Sequence, residues 1–344
     1  MQSSGYRRRV APEAPVPRTR YHQNVPERPV AGSENSRELA PPSHAQILDT
    51  ITTVAAMQAE ADAARCAGRR LALVPTMGAL HDGHLALVRH AREQVGPEGH
   101  VTVSIFVNPT QFGPGEDFDA YPRTLDADRE ALLASGAGVD AVFAPEAREM
   151  YPFGLPPLAT VQVAEMGWYL CGASRPGHFD GVTSVVTRLY LACRPHLAVF
   201  GEKDAQQLAI LRRMTTDLGF GIEVVGHPIV READGLALSS RNRYLSADER
   251  RQAVAISRAL FAAREAFDAG ERSANALRRH LVDGLGVPGV RVQYAEVVDA
   301  DTLQPVETLT EAGPSGGRYL LAVAAFVGAT RLIDNLTLQV GGAA

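Results

Sequence analysis

The first residues able to do chemistry are two histidines three apart, in Val74-Pro75-Thr76-Met77-Gly78-Ala79-Leu80-His81-Asp82-Gly83-His84. They follow a short apolar run and precede a helical pattern, which puts them at a helix N-terminus. Free amides and the helix dipole draw anions there, and Gly78 and Gly83 let a phosphate approach the backbone closely. Two imidazoles at that point can donate hydrogen bonds, or a proton, as charge builds on a phosphate. Zinc is the other use for two histidines, but no nearby Cys, Asp or Glu completes a ligand set at familiar spacing.

Of the 34 basic residues, 33 are arginine and one, Lys203, is lysine. It lies in Phe200-Gly201-Glu202-Lys203-Asp204, after an apolar run and ahead of a helix carrying Gln206 and Gln207. A compact ammonium on a flexible stem can follow a phosphate through reaction, whereas a guanidinium fork demands one geometry. Asn108 and Gln111, in Phe106-Val107-Asn108-Pro109-Thr110-Gln111-Phe112, suit a small polar substrate, although Asn-Pro can equally be a turn. The acidic, Gly-rich loop 113–119 has the length of a lid, although an ordinary surface loop reads the same way. Arg175-Pro176-Gly177-His178-Phe179-Asp180 reads as a second anion contact or as a helix cap, and both remain open. Ser239, Ser240 and Arg241 suit a triphosphate. Taken alone, they read as a capping serine and a surface arginine.

These residues all border short apolar runs typical of buried parallel strands: 71–74, 101–107, 141–144, 197–200 and 222–225. Helical patterns at 47–65, 84–94, 126–135, 182–191 and 205–218 separate most of them. Such alternation predicts an α/β fold, a Rossmann-like doubly wound parallel sheet, with ligands at the carboxyl ends of its strands. After Pro228 the pattern changes to helices at 246–269, with Ser246 and Glu249 forming a capping box, and at 273–285. Strands follow at 290–298, 319–327 and 331–336. The expected organisation is therefore a Rossmann-like domain at 46–228 and a smaller α+β domain at 229–344. Residues 1–45 hold seven prolines and only five Val, Leu, Ile or Phe. That composition cannot bury enough apolar surface to offset chain entropy, so a disordered extension is expected.

A net charge of −5 is a poor platform for binding nucleic acid. No apolar run reaches the roughly 18 residues that a membrane-spanning helix needs. Cys66, Cys171 and Cys193 are odd in number and widely spaced, which suits reduced thiols in a cytoplasmic protein better than a disulfide or a thiolate zinc site.

Together, P-T-M-G-A-L-H-D-G-H, F-V-N-P-T-Q-F, Y-P-R-T, F-G-E-K-D-A-Q-Q-L and R-E-A-D-G-L-A-L-S-S-R-N, in that order, resemble the pantothenate synthetase family of the H-x-G-H nucleotidyltransferase superfamily. The resemblance covers about residues 46–337. It implies a cytoplasmic homodimer that ligates pantoate and β-alanine using ATP, through a pantoyl-adenylate. It assigns Met77, Gly78, Ala79, Leu80, His81, Asp82, Gly83 and His84 to ATP, with His84 as proton donor and His81 assisting. Gly201, Glu202, Lys203, Asp204, Val230, Leu238, Ser239, Ser240 and Arg241 complete the ATP site. His81, His84, Lys203, Ser239, Ser240 and Arg241 then form the catalytic set around the phosphates. Gln111 and Gln207 hold pantoate, and Gln111 also borders β-alanine. Asp128 matches a position near magnesium, although Ala127 replaces an acidic neighbour found in some relatives, so Mg2+ is expected mainly on the ATP phosphates. Leu238 stands where many relatives have Met, a volume-conserving change. The competing expectations are another H-x-G-H nucleotidyltransferase acting on a phosphorylated acceptor, and a catalytically silent nucleotide-binding protein.

Overall fold

The computed structural model describes residues 48–341; the expected disordered extension at 1–45 lies outside the described residues. The α/β part begins with β1 (Thr50–Ile51), α1 (Val54–Cys66), β2 (Leu71–Thr76), α2 (Asp82–Val95) and β3 (His100–Ile105). It continues through α3 (Leu125–Ala134), β4 (Ala141–Phe143), α4 (Ala147–Met150), α5 (Leu170–Ser174) and α6 (His178–Cys193). It ends with β5 (Leu197–Gly201), α7 (Ala205–Asp217) and β6 (Glu223–His227). The six strands form one sheet in the order β1-β4-β3-β2-β5-β6, every pair parallel. The doubly wound sheet expected from alternating apolar runs is present.

One face of the sheet packs on α1, α6 and α7 through Met57, Val185, Leu189 and Leu211. The opposite face packs on α2 and α3 through Leu87, Val88 and Leu132. Where one helix was expected over 47–65, the chain instead makes the edge strand β1, turns at Thr53, and only then enters α1. Thr53 caps the helix by accepting the amide of Ala56. The physical reason is pairing: Thr50 and Ile51 lie beside Val142 and Phe143 of β4, and a two-residue strand is too short for periodicity to reveal.

The second part contains α8 (Ala247–Asp268), α9 (Ala274–Gly284), β7 (Val290–Asp299), β8 (Arg318–Val327) and β9 (Thr330–Gln339). The Ser246–Glu249 capping box starts α8 as expected. The three strands form an antiparallel sheet in the order β7-β8-β9, and β9 runs past the predicted 331–336 at both ends. Ile256, Leu260, Leu277 and Leu281 of α8 and α9 bury one face of this sheet. Val298, Leu320 and Ala322 from its other side pack against Phe179 and Ile210 of the α/β part. That apolar seam brings the second sheet up to the carboxyl end of β5. Cys66, Cys171 and Cys193 are free thiols. Among the described residues no helix is long and apolar enough to cross a membrane.

Candidate active site

The strands β2 and β5 are neighbours, yet the chain goes from β2 to β3 on one side and returns to β5 on the other. The crevice at their carboxyl ends is thus the point where strand order reverses, the place where such sheets take ligands. A cleft opens there.

His81 is the N-cap of α2. Its Nδ1 accepts the amide of Gly83 at 3.2 Å, and its own amide donates to Nδ1 of His84 at 3.4 Å. The ring centroids lie 4.0 Å apart. With Nδ1 accepting in both rings, the proton of each neutral imidazole belongs on Nε2, an assignment made from hydrogen-bond geometry. Desolvation, with His81 and Lys203 nearby, pushes His84 down to about 3. Desolvation and Lys203 also lower His81, against the pull of Asp82. Both rings are therefore neutral at pH 7 and offer N–H donors to a phosphate. His84 is suited to donating a hydrogen bond rather than the proton of an imidazolium.

The glycines here answer to steric limits. A Cβ on Gly83 would lie 2.9 Å from Cε1 of His81, so the ring can stack on the helix start only over glycine. Gly78 has φ +80°, and a Cβ there would lie 2.9 Å from Oδ2 of Asp128. Asp128 is buried. Its Oδ2 accepts from the amide of Ala79 at 3.0 Å and the hydroxyl of Thr124 at 3.2 Å, and its Oδ1 from the amide of Leu80 at 2.7 Å. This carboxylate braces the turn that aims the histidines. Asp128→Ala is expected to lower stability by about 1–3 kcal/mol, because it strands buried amides without an acceptor. Denaturant unfolding measures this, and added Mg2+ should restore neither stability nor activity.

Met77, His81, Gly83 and His84 line the cleft on one side, and Gly201, Lys203, Asp204 and Gln207 on the other. Gln111, Val230, Leu238, Ser239, Ser240 and Arg241 complete the lining that the sequence predicts. Gly78, Ala79, Leu80 and Asp82 form the supporting turn and first helical residue, and Glu202 turns its carbonyl to Asn335. A Cβ on Gly201 would meet nothing within 4 Å, so this strand end is open toward the cleft. The ammonium of Lys203 donates to Asp204 at 3.0 Å. Val230 accepts the amide of Leu238 at 2.9 Å, closing a small hairpin that delivers Ser239–Arg241.

Over residues 49–337 the chain matches the family model described as pantoate-beta-alanine ligase. The chain belongs to that family. It is 56% identical over 299 residues to the pantothenate synthetase of Salinibacter ruber, covering 85% of this chain and 98% of that protein. With the pantothenate synthetase of Moorella thermoacetica it shares 51% over 294 residues, covering 85% and 99%. The crystal structure of pantothenate synthetase from Thermus thermophilus superposes with a TM-score of 0.74 at 46% identity, over 84% of this chain and 99% of that one. The Francisella tularensis pantoate-beta-alanine ligase, solved in complex with beta-gamma ATP and beta-alanine, gives 0.65 at 28% identity, over 84% and 97%.

Several residues of this ligase-family cleft have roles that the sequence left open. Asn108 is fully buried. It donates to Oε1 of Gln111 at 3.0 Å and to Gly181, and it accepts from the hydroxyl of Tyr151 at 2.7 Å. Its amide is thus committed internally and aims Gln111. Gln206 is likewise buried and bonds Cys171, Met166 and Tyr169, leaving Gln207 to face the cleft. Arg175 pairs with Glu116 at 2.6 Å and donates to Nε2 of His178 at 2.9 Å, while Nδ1 of His178 donates to the carbonyl of Gln111 at 2.7 Å. Arg241 donates to Asp117 at 3.2 Å. The loop 113–119 is therefore a strap whose adjacent carboxylates are tied to opposite sides of the cleft, Glu116 to Arg175 just ahead of α6 and Asp117 to Arg241. Tyr121 and the apolar wall of Val182, Val185 and Leu189 also line the cleft. The sequence marked the wall only as one side of a helix.

Desolvation and Arg175 push His178 down to about 4. Folded His84 and His178 thus bind protons less readily than the unfolded chain, whose histidines titrate near 6.5. With more protons bound in the unfolded state, stability falls as pH drops below about 6.5 and keeps falling toward the folded values. Calorimetry from neutral pH to about pH 4.5 should show Tm falling, and more shallowly in His178→Asn.

Proposed function

We propose that the protein ligates (R)-pantoate and β-alanine to pantothenate, forming AMP and pyrophosphate through a pantoyl-adenylate. The observation that carries this reading is the convergence on one cleft of His81 and His84 after β2, Lys203 after β5, and Ser239–Arg241 from the second part, with Gln111 and Gln207 beside them. Two anions, a carboxylate and ATP, must be held in line, so neutralising charge and aligning the reactants are the main tasks. Leu238 and Val230 offer apolar contact to the base, and the turn at 77–84 receives the phosphates. Gln111 and Gln207 hold the hydroxy acid against the apolar wall of α6, and Gln111 also borders the β-alanine position.

The pantoate carboxylate forms a bond to the α-phosphorus, and the bond from that phosphorus to the bridging oxygen breaks, releasing pyrophosphate. N–H groups of His81 and His84, the ammonium of Lys203, the hydroxyls of Ser239 and Ser240, and Arg241 take up the charge that develops. The neutral amine of β-alanine then attacks the acyl carbon. AMP leaves and the new amide nitrogen loses a proton, so no enzyme nucleophile is needed. The second part, 229–344, acting as a lid on 46–228, would shield the anhydride from water.

The residues do not build a metal centre. Among the described residues no group of three or more His, Cys, Asp or Glu is placed to hold a metal ion, and Asp128 commits its carboxylate to the turn. Mg2+ is accordingly assigned mainly to the ATP phosphates. A cytoplasmic homodimer belongs to the same reading. Phe153 and Leu158 are fully exposed, an apolar surface of the kind that a second copy covers. Light scattering should report a dimer that Phe153→Ser with Leu158→Ser weakens. The reaction itself is tested by supplying pantoate, β-alanine and ATP, which should yield pantothenate, AMP and pyrophosphate. A product retaining the nucleotide would overturn the assignment.

A further inference from the structure

Two adjacent residues of β9 reach both segments that converge on the phosphate end of the cleft. Asn335 is almost fully buried, and its amide nitrogen donates to the carbonyls of Glu202 and Lys203, both at 2.9 Å. These are consecutive carbonyls of the single 3-10 turn, Glu202–Asp204, that carries the lysine. Asp334, also buried, accepts from Arg231 at 2.6 Å and 3.0 Å. Arg231 bridges to Ala237 across the hairpin that ends in Ser239–Arg241. The two prongs are tied to each other, because the backbone N–H of Asn335 donates to Oδ1 of Asp334 at 2.8 Å. Asp334 and Asn335 are both buried, and loss of either side chain would leave the groups it holds without their protein partner.

We propose that Asp334 and Asn335 form a brace that sets Lys203 against Ser239–Arg241, which makes Asn335 a positioning residue for adenylate formation. Asn335 touches no part of the cleft chemistry itself. It fixes the backbone from which the lysine stem departs, and the stem's flexibility is useful only if its base is held. A misplacement of about 1 Å at a reacting centre can cost a hundredfold in rate. The brace also gives β9 a part in the reaction: it gauges the distance between Lys203, at the end of β5, and the Ser239–Arg241 segment ahead of α8.

This inference rests on the ATP-dependent ligation proposed above. Pantoate-dependent exchange of labelled pyrophosphate into ATP by the wild-type protein tests that reading separately, and its absence would sink the reading. With wild-type exchange present, Asn335→Ala should lower the exchange kcat at least about tenfold with the KM for pantoate within about twofold, the signature of an interaction made in the transition state. Amide formation from preformed pantoyl-adenylate and β-alanine, which involves no pyrophosphate, should stay within about twofold of wild type. Asn335→Ser keeps one donor and should recover part of the loss; it replaces the alanine variant if that one does not fold. The deciding measurement is a double-mutant cycle with Lys203→Met. If Asn335 acts through Lys203, the double variant exchanges no more slowly than Lys203→Met alone. Fully additive losses, or equal losses in both half-reactions, would show that Asn335 only stabilises the fold.

Discussion

Lys203→Arg is expected to lose at least about 100-fold in adenylate formation, the scale for removing one well-placed transition-state donor, about 2.7 kcal/mol. The substitution keeps the charge and counts as conservative on most scales. The chain itself carries arginine at every other basic position, so an evenly tolerant site would be expected to hold arginine here too. The structure supplies the reason for the exception. The lysine stem leaves a turn whose carbonyls are pinned by Asn335, so a longer side chain cannot be accommodated by shifting the backbone. Asp204 lies 3.0 Å from the ammonium. A guanidinium fork matches a carboxylate with two parallel hydrogen bonds, and arginine at this position would be drawn into that pairing and away from the α-phosphate. The ammonium makes only a point contact with Asp204 and can give it up. Pantoate-dependent pyrophosphate exchange measures the effect, and turnover near that of wild type would show that positive charge alone suffices.

Much of this site was legible because the carriers of chemistry sit at the ends of buried strands. Apolar runs marked β2 and β5, and the residues after each run had to emerge at the carboxyl edge of a parallel sheet. His81, His84 and Lys203 could be placed in one crevice on that basis. What stayed hidden depended on helix phase or on contacts distant in sequence. Gln206 and Gln207 are neighbours, but successive helical residues point about 100° apart, so one enters the core and the other the cleft. Composition does not reveal which. Asn335 lies 132 residues from Lys203 in a strand that reads as ordinary core, and no local pattern announces a contact of that range. His178 posed a third problem. The motif around it offered an anion contact or a cap, while the structure uses it to hold the backbone of Gln111 and to receive Arg175.

The second large effect is expected at His84, where charge state and hydrogen-bond geometry make separate predictions. His84→Ala should lower adenylate formation by about 100- to 1000-fold, as loss of a donor aimed at developing charge does. A proton-donating imidazolium and a neutral N–H donor would both give that loss, so the alanine variant alone does not distinguish them. The pH profile does. An imidazolium donor must be protonated at the working pH, and activity would then fall as pH rises through its pKa. Desolvation, with His81 and Lys203 nearby, instead pushes His84 down to about 3 in the free protein. The ring is already neutral across the working range, so pyrophosphate exchange should show no basic limb owed to His84 between about pH 6.5 and 8.5. A basic limb in wild type that disappears in His84→Gln would reverse this conclusion. The same variant tests the geometry. Nδ1 of His84 is committed to the amide of His81, which leaves Nε2–H for the phosphate, and the amide nitrogen of glutamine reaches nearly the same point. His84→Gln should therefore recover about tenfold over His84→Ala if a neutral donor at that point is what the reaction uses.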